Sequence, residues 1–359
     1  MTHSKPTPSP TRPQLAVHAE RILVRMPTWV GDAVMATPCL RALRSAYRGA
    51  EITLEGRPVL EGLLSGLRSF DRFAIDPGRG AGALLRRARD LREQRFDLAV
   101  MLPDSPRSAL GPFIARIPQR VGYTRDPLRH LLLTRRLQYV EQQRQRIPVP
   151  SVERYLEITR QLGCEDRGTE LELAVSPESS KRVAALLTRH GVSQAQPLLV
   201  VTPGAAFGAS KMWPTEHFAD ACDRISSELG LLPVLSPGPG EFETASRIAE
   251  QMTERSINLV DRDATLEDLK ALIARSTLLL SNDTGPRHIA VALRRPCVIV
   301  MGPTHPIHTA LHLEHQRVLR NPVACSPCQL KVCPIDHRCM TQLEPQRAVS
   351  AARELLQRD

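Results

Sequence analysis

Short apolar runs alternate with longer amphipathic stretches along most of the chain. Residues 21–25, 51–55, 96–102 and 120–123 have the length and the aliphatic content of buried strands. Between them, residues 34–47, 59–66, 82–94 and 151–162 space their apolar positions as helices do. Pro38 lies near the start of the first of these, so the true helix N-terminus is expected close to residues 35–37. The alternation then starts again. Strands are expected at 198–201, 231–235, 256–259, 278–280 and 298–301, with helices at 215–229, 243–252, 266–275 and 287–293.

Strand–helix alternation of this kind predicts α/β architecture with parallel, doubly wound sheets, and the restart predicts two of them facing across a cleft. A chain of 359 residues suits two domains better than one. We divide it at 19–192 and 193–342, with the amphipathic helix at 179–190 closing the first domain and 194–197 as the linker. Residues 1–18, polar and proline-rich, read as a disordered leader, and the helix within 343–359 is expected to pack back on the first domain.

Chemistry gathers where predicted strands end. Asn282-Asp283-Thr284-Gly285-Pro286 breaks an apolar run with capping residues and opens a helix. Such a turn presents unpaired N–H groups at the carboxyl end of a sheet: a phosphate cradle, or an ordinary capped turn. The loop at 202–215 combines small residues with Ser210 and Lys211, a hydroxyl and a point charge suited to phosphate, or else forms a buried turn. Glu241 follows Pro237-Gly-Pro-Gly240; it can accept bonds from ribose hydroxyls or complement a helix dipole. The loop at 261–265 is expected on the same rim. In the first half, Asp32 follows Gly31 after the opening strand, a position for a general base or a helix cap. Neither a Gly-x-Ser-x-Gly nor a His-Glu-x-x-His stretch occurs, which gives hydrolase chemistry no support.

Composition narrows the partners. Net charge is +10 and concentrates in residues 86–146, with fourteen arginines against six acidic residues. Anionic ligands or an anionic membrane surface follow from that; nucleic acid does not, because aromatic residues reach only 4% and no nucleic-acid-binding motif is present. No apolar run approaches the ~18 residues that span a bilayer, so a cytoplasmic place is expected, with peripheral membrane contact. The eight scattered cysteines fit a reducing compartment.

Taken together, Trp29-Val-Gly-Asp-Ala33, Ser210-Lys-Met-Trp-Pro214, Asn282-Asp-Thr-Gly-Pro-Arg-His288 and Gly302-Pro-Thr-His-Pro306 resemble, in order and separation, the ADP-heptose:lipopolysaccharide heptosyltransferases of glycosyltransferase family 9. The resemblance runs from about residue 21 to the C-terminus. It implies the GT-B fold, with an ADP-heptose donor held by the second domain and an inner-core lipopolysaccharide acceptor by the first. It also implies one inverting displacement, with no cofactor and no bound metal. Residue by residue, it assigns Asp32 as general base and Lys211, with Ser210 beside it, to the pyrophosphate. Glu241 goes to the ribose, and Asp283, Thr284, Gly285 and His288 to the diphosphate. The chain departs from the pattern at Met212 and Arg287, both expected to lie off the chemistry. The arginine excess suits an acceptor rich in carboxylates and phosphates, with Arg116, Arg120 and Arg125 as candidates. Two alternatives stay open: a sugar-nucleotide epimerase of the same fold, and a family 9 transferase with another acceptor. Cys325, Cys328, Cys333 and Cys339, with His337, have metal-ligand spacing or are reduced thiols packing a loop.

Overall fold

The computed structural model describes residues 17–78, 80–142, 145–259 and 264–357. The leader expected at 1–18 therefore lies almost wholly outside the described residues, as do residues 261–263 of the rim loop.

Two parallel six-stranded sheets form the frame. In the first, β1 (Arg21–Arg25), β2 (Glu51–Gly56), β3 (Arg72–Ile75), β4 (Leu98–Met101), β5 (Gln119–Tyr123) and β6 (Arg135–Leu137) are ordered 3-2-1-4-5-6. A short antiparallel pair, β7 (Glu141–Gln142) and β8 (Gln145–Arg146), follows. The second sheet repeats the first order as β11-β10-β9-β12-β13-β14. Its strands are β9 (Leu198–Thr202), β10 (Leu232–Leu235), β11 (Ile257–Asn258), β12 (Leu278–Asn282), β13 (Cys297–Val300) and β14 (Gln316–Leu319). Each sheet reverses its winding beside its first strand, between β1 and β4 and between β9 and β12. In open α/β sheets the crevice at that reversal, beyond the carboxyl ends, is where ligands sit. The expected doubly wound, two-sheet α/β fold is the observed one.

The central strands formed where the apolar runs were continuous. Ile22–Val24, Leu98–Met101, Leu198–Val201 and Leu278–Leu280 are fully buried, as strands covered by helices on both faces must be. Within the two six-stranded sheets the strands without a sequence signal, β3, β6 and β14, all lie at sheet edges, where one side meets solvent and arginines replace aliphatic residues. Three helices were also unannounced: Pro106–Ile114 and Pro127–Leu132, each short and opened by a proline, and the single turn Arg338–Thr341.

Three expectations about helices change. The expected helix at 34–47 is two: Val30–Met35, then Thr37–Ala46, with Pro38 in the first turn of the second. The helix assigned to the close of the first domain, Pro177–Arg189, packs instead on Leu266–Arg275 of the second half. The crossover therefore precedes it, just after a stretch still tied to the first domain by Glu172 N–H donating to Thr37 Oγ1 at 3.1 Å. The last helix, Pro345–Leu356, does not return to the first domain as its main seat. Its buried face, including Ala348, Val349, Ala352 and Leu355, joins the core around Phe218 and Val298 beside Thr215–Leu229. Trp213 Nε1 donates to Leu343 O at 2.9 Å and anchors the chain leading into it.

The halves are locked where Leu266–Arg275 meets Val59–Leu64. Lys270, fully buried, donates from Nζ to the carbonyls of Gly62 and Leu63 at 3.1 Å and of Ser65 at 3.3 Å. An ammonium from one domain thus caps the carboxyl end of a helix in the other. Lys270→Met keeps the stem's bulk but takes the ammonium from those carbonyls, leaving Gly62 O only its bond from Ser65 Oγ at 2.9 Å. The expected cost is about 1–3 kcal/mol, read as a lower urea midpoint for the full chain.

Candidate active site

Asp32 sits where β1 hands over to the first helix. Trp29 is the N-cap residue of Val30–Met35 and makes no side-chain cap bond; Asp32 lies in the first turn. Its carboxylate instead accepts from Tyr155 Oη at 3.1 Å, across 123 residues of chain. Burial lifts its pKa above the ordinary carboxylate value, opposed by the Arg154 charge, the Tyr155 hydrogen bond and the Lys211 and His308 charges.

Asp283, directly after β12, is almost completely buried, with three side-chain partners. Lys211 Nζ donates to its main-chain O at 2.7 Å and contacts Oδ2 at 3.1 Å. Thr304 Oγ1 donates to Oδ2 at 2.6 Å, and Arg287 Nη1 to Oδ1 at 2.7 Å. Burial raises the Asp283 pKa, but the Arg287 and Lys211 charges win and hold it well below the usual carboxylate range. One buried carboxylate against two cations leaves a net positive charge facing the crevice. Thr284 is the N-cap of Gly285–Ala292, so the first free N–H groups of that helix open onto the same spot. Arg287, expected off the chemistry, is 1% exposed and is a structural member of this group. It also donates from Nε to Gln316 Oε1 at 2.8 Å, which fixes its plane.

His288 faces the other domain. A Cβ built on Gly31 would stand 2.6 Å from His288 Cδ2, and one on Gly285 would stand 2.8 Å from Val30 Cγ1. Only glycine lets the two helix starts meet so closely. Burial, then the Arg287 charge, pushes the His288 pKa down to about 3, so its imidazole is neutral near neutral pH.

Lys211 ends the short 3₁₀ turn Ala209–Lys211 after β9. Gly208 enters that turn at φ +154°, and any Cβ there would collide with Lys331 O. Ser210 shares the turn but not the crevice. Its hydroxyl donates to Leu330 O, its N–H to Lys331 O at 3.0 Å, and its own carbonyl lies 2.7 Å from His337 Nε2. Ser210 thus braces the loop that presents Lys211. Glu241 is the N-cap residue of Phe242–Gln251, yet its carboxylate turns back to accept from Gly238 N–H at 2.7 Å. Burial raises its pKa, partly offset by the main-chain donors Gly238 and Ala205.

One cleft of about 1500 Å³ brings Asp32, Lys211, Glu241, Asp283, Thr284, Gly285 and His288 together; Ser210 is outside it. Ala264 and Thr265 of the expected rim loop also line it. Arg57, Arg125, Arg154, Thr304 and His308 are on its wall without having been singled out for this chemistry, Arg125 apart. Of the acceptor candidates, only Arg125 lines the cleft. Arg120 is spent on its own domain, donating from Nε to Leu132 O at 2.7 Å and from Nη1 to Ile117 O. The four C-terminal cysteines and His337 surround a separate cavity of about 80 Å³ beside Ser210. Among the described residues, no three or more His, Cys, Asp or Glu side chains are arranged to hold a metal ion.

Two Rossmann-like domains facing each other across this cleft make the fold GT-B, that of a class of glycosyltransferases. The profile of "Glycosyltransferase family 9 (heptosyltransferase)" matches residues 84–338, and the chain belongs to that family. Lipopolysaccharide heptosyltransferase 2 of Salmonella typhimurium is 32% identical over 315 residues, 84% of this chain and 88% of that one. Lipooligosaccharide heptosyltransferase 2 of Campylobacter jejuni is 26% identical over 340 residues, 93% of this chain and 99% of that one. The solved structure of Escherichia coli ADP-heptose lps heptosyltransferase II superposes with a TM-score of 0.78 at 28% identity, covering 94% of this chain and 99% of that one.

Gly31→Ala tests the domain contact. Alanine favours the helix by about 0.5–1 kcal/mol, but its Cβ would overlap buried His288, an overpacking cost of about 1–3 kcal/mol, so the unfolding midpoint should fall modestly. Displacing His288 should also cut glycosyl transfer about ten-fold or more.

Proposed function

We propose that the protein transfers heptose from ADP-L-glycero-D-manno-heptose to the heptose/Kdo inner core of lipopolysaccharide, inverting the anomeric centre in one step. The observation that carries this reading is the single cleft in which Asp32 faces Lys211 and the start of Gly285–Ala292. The names of the two heptosyltransferase 2 relatives support the sugar and the acceptor class.

In this reading the acceptor hydroxyl gives its proton to Asp32 as its oxygen bonds to the anomeric carbon. The bond from that carbon to the β-phosphate oxygen breaks on the opposite face, and its electron pair leaves with ADP. Lys211 and the N–H groups after Thr284 meet the developing charge with donors already in place, so little reorganisation is needed. Asp283 positions Lys211 by gripping its ammonium, and Arg287 keeps that grip from neutralising the site. Glu241 orients the ribose. The neutral imidazole of His288 can approach the diphosphate as a hydrogen-bond partner without adding charge.

The cleft is larger than the usual ~300–1000 Å³ of a single-ligand pocket, which suits a nucleotide sugar and a saccharide bound together. Arg57 and Arg125 stand on the first-domain side of it and suit acceptor carboxylates or phosphates; Arg125 is paired with Asp104 at 3.1 Å until such a group arrives. No helix among the described residues is long and apolar enough to cross a membrane. With the basic first domain, that fits contact with an anionic membrane face rather than insertion.

Incubation with ADP-heptose, with and without a heptose-bearing core acceptor, tests the reading. Transfer that requires acceptor is the expected result; donor conversion without acceptor would mark an epimerase instead. Asp32→Asn should lower transfer by about 10²–10⁴-fold while ADP-heptose still binds. Because burial holds the base's pKa up, kcat/KM should fall on acidification at a pH above the ordinary aspartate range. Lys211→Ala should weaken binding of ADP-heptose and of ADP. Arg57→Gln with Arg125→Gln should raise the acceptor KM and leave donor binding unchanged.

A further inference from the structure

The proposed base is held by side chains that the reading above does not use. Tyr155 lies on helix Ser151–Arg160, which packs on Thr37–Ala46, and is 1% exposed. Its hydroxyl carries one proton and stands between two groups. It accepts from Arg154 Nη2 at 2.9 Å and donates to Asp32 Oδ1 at 3.1 Å. The Arg154 guanidinium also lies 4.9 Å from the centre of the Tyr155 ring and is hydrogen-bonded to Tyr139. Tyr139 Oη in turn donates to Asp104 Oδ2 at 2.7 Å. One continuous chain of polar contacts therefore runs from the end of β4 to the end of β1.

Its direction matters. A cation behind a hydroxyl polarises it and strengthens the bond it donates. A donor fixed on one carboxylate oxygen also stops rotation of the group and decides which oxygen is presented to a ligand. We propose that Tyr155, polarised by Arg154, is the positioning residue of this reaction: it holds Asp32 by Oδ1 so that Oδ2 faces the acceptor hydroxyl. This rests on Asp32 acting as the base. The same pair favours the ionised carboxylate in a site whose burial opposes it. Asp32 is faced by Arg154 and Tyr155 from this helix, by Lys211 from Ala209–Lys211, and by His308 from the turn Pro306–Thr309. His288 packs on neighbouring Gly31.

Steady-state transfer of heptose across pH, for wild type, Tyr155→Phe, Arg154→Lys and Arg154→Met, tests this, with Asp32 titrated by NMR in substrate-free [¹³C]aspartate-labelled protein. Phenylalanine keeps the buried ring, so kcat should fall roughly ten- to a hundred-fold with the ADP-heptose KM unchanged. The acid limb of the rate profile and the Asp32 resonance should both move to higher pH. Arg154→Lys should keep more activity than Arg154→Met, because it keeps the charge. An active wild type with unchanged kcat and acid limb in Tyr155→Phe overturns the proposal. A wild type that transfers nothing fails the functional reading instead. The resting-state titration still decides the positioning claim: an Asp32 midpoint unmoved in Tyr155→Phe contradicts it. Should Tyr155→Phe misfold, Arg154→Met at the cleft wall gives the same comparison.

Discussion

The donor side of the cleft depends on one buried charge. Asp283 is ionised where a lone carboxylate would be protonated, because Arg287 and Lys211 approach it together. Each member needs the others. Without Arg287, the lysine and aspartate would neutralise each other; without Asp283, two cations would repel in a space shielded from water. Breaking one partner of such a buried group commonly costs more than the group contributes when whole. The arrangement therefore sets the position of Lys211 and, through the backbone of β12, that of the helix start beside it.

Tertiary contacts extend that constraint to both ends of the chain. The C-terminal loop reaches the Lys211 turn through Lys331 and His337, while Gln316 of edge strand β14 orients Arg287. Across the cleft, Gly31 against His288 and Gly285 against Val30 bring two helix starts into contact. The proposed base is thereby fixed relative to the proposed leaving-group site by packing at the cleft floor. Lys270 adds a second tie further out. A site assembled from both domains in this way is sensitive to any change in their relative placement.

Much of this was legible in the sequence, for a physical reason. Strands buried on both faces need unbroken apolar runs, so β1, β9 and β12 could be found, and helices 215–229 and 266–275 were bounded as expected. Loops at the carboxyl ends of β1, β9, β10 and β12 carry Asp32, Lys211, Glu241 and the turn from Asp283 to His288, the candidates the sequence offers. Edge strands β3, β6 and β14 could not be read, since half-exposed strands carry no continuous apolar signal. Tyr155 and Arg154 were hidden for a different reason: on an amphipathic helix a buried tyrosine looks like core, and its partner is 123 residues away. Arg287 does not line the cleft, and its bonds to Asp283 and Gln316 cannot be seen from its place in a motif. Ser210 was grouped with Lys211 by adjacency, yet successive residues of a tight turn face different ways.

The proposed reaction is a single displacement between a base in the first domain and a leaving group held by the second. Proton NMR of the anomeric configuration of the transferred sugar, product against donor, tests it most directly. Inversion is the predicted result. Retention would require a covalent or front-face route and would contradict the role given to Asp32.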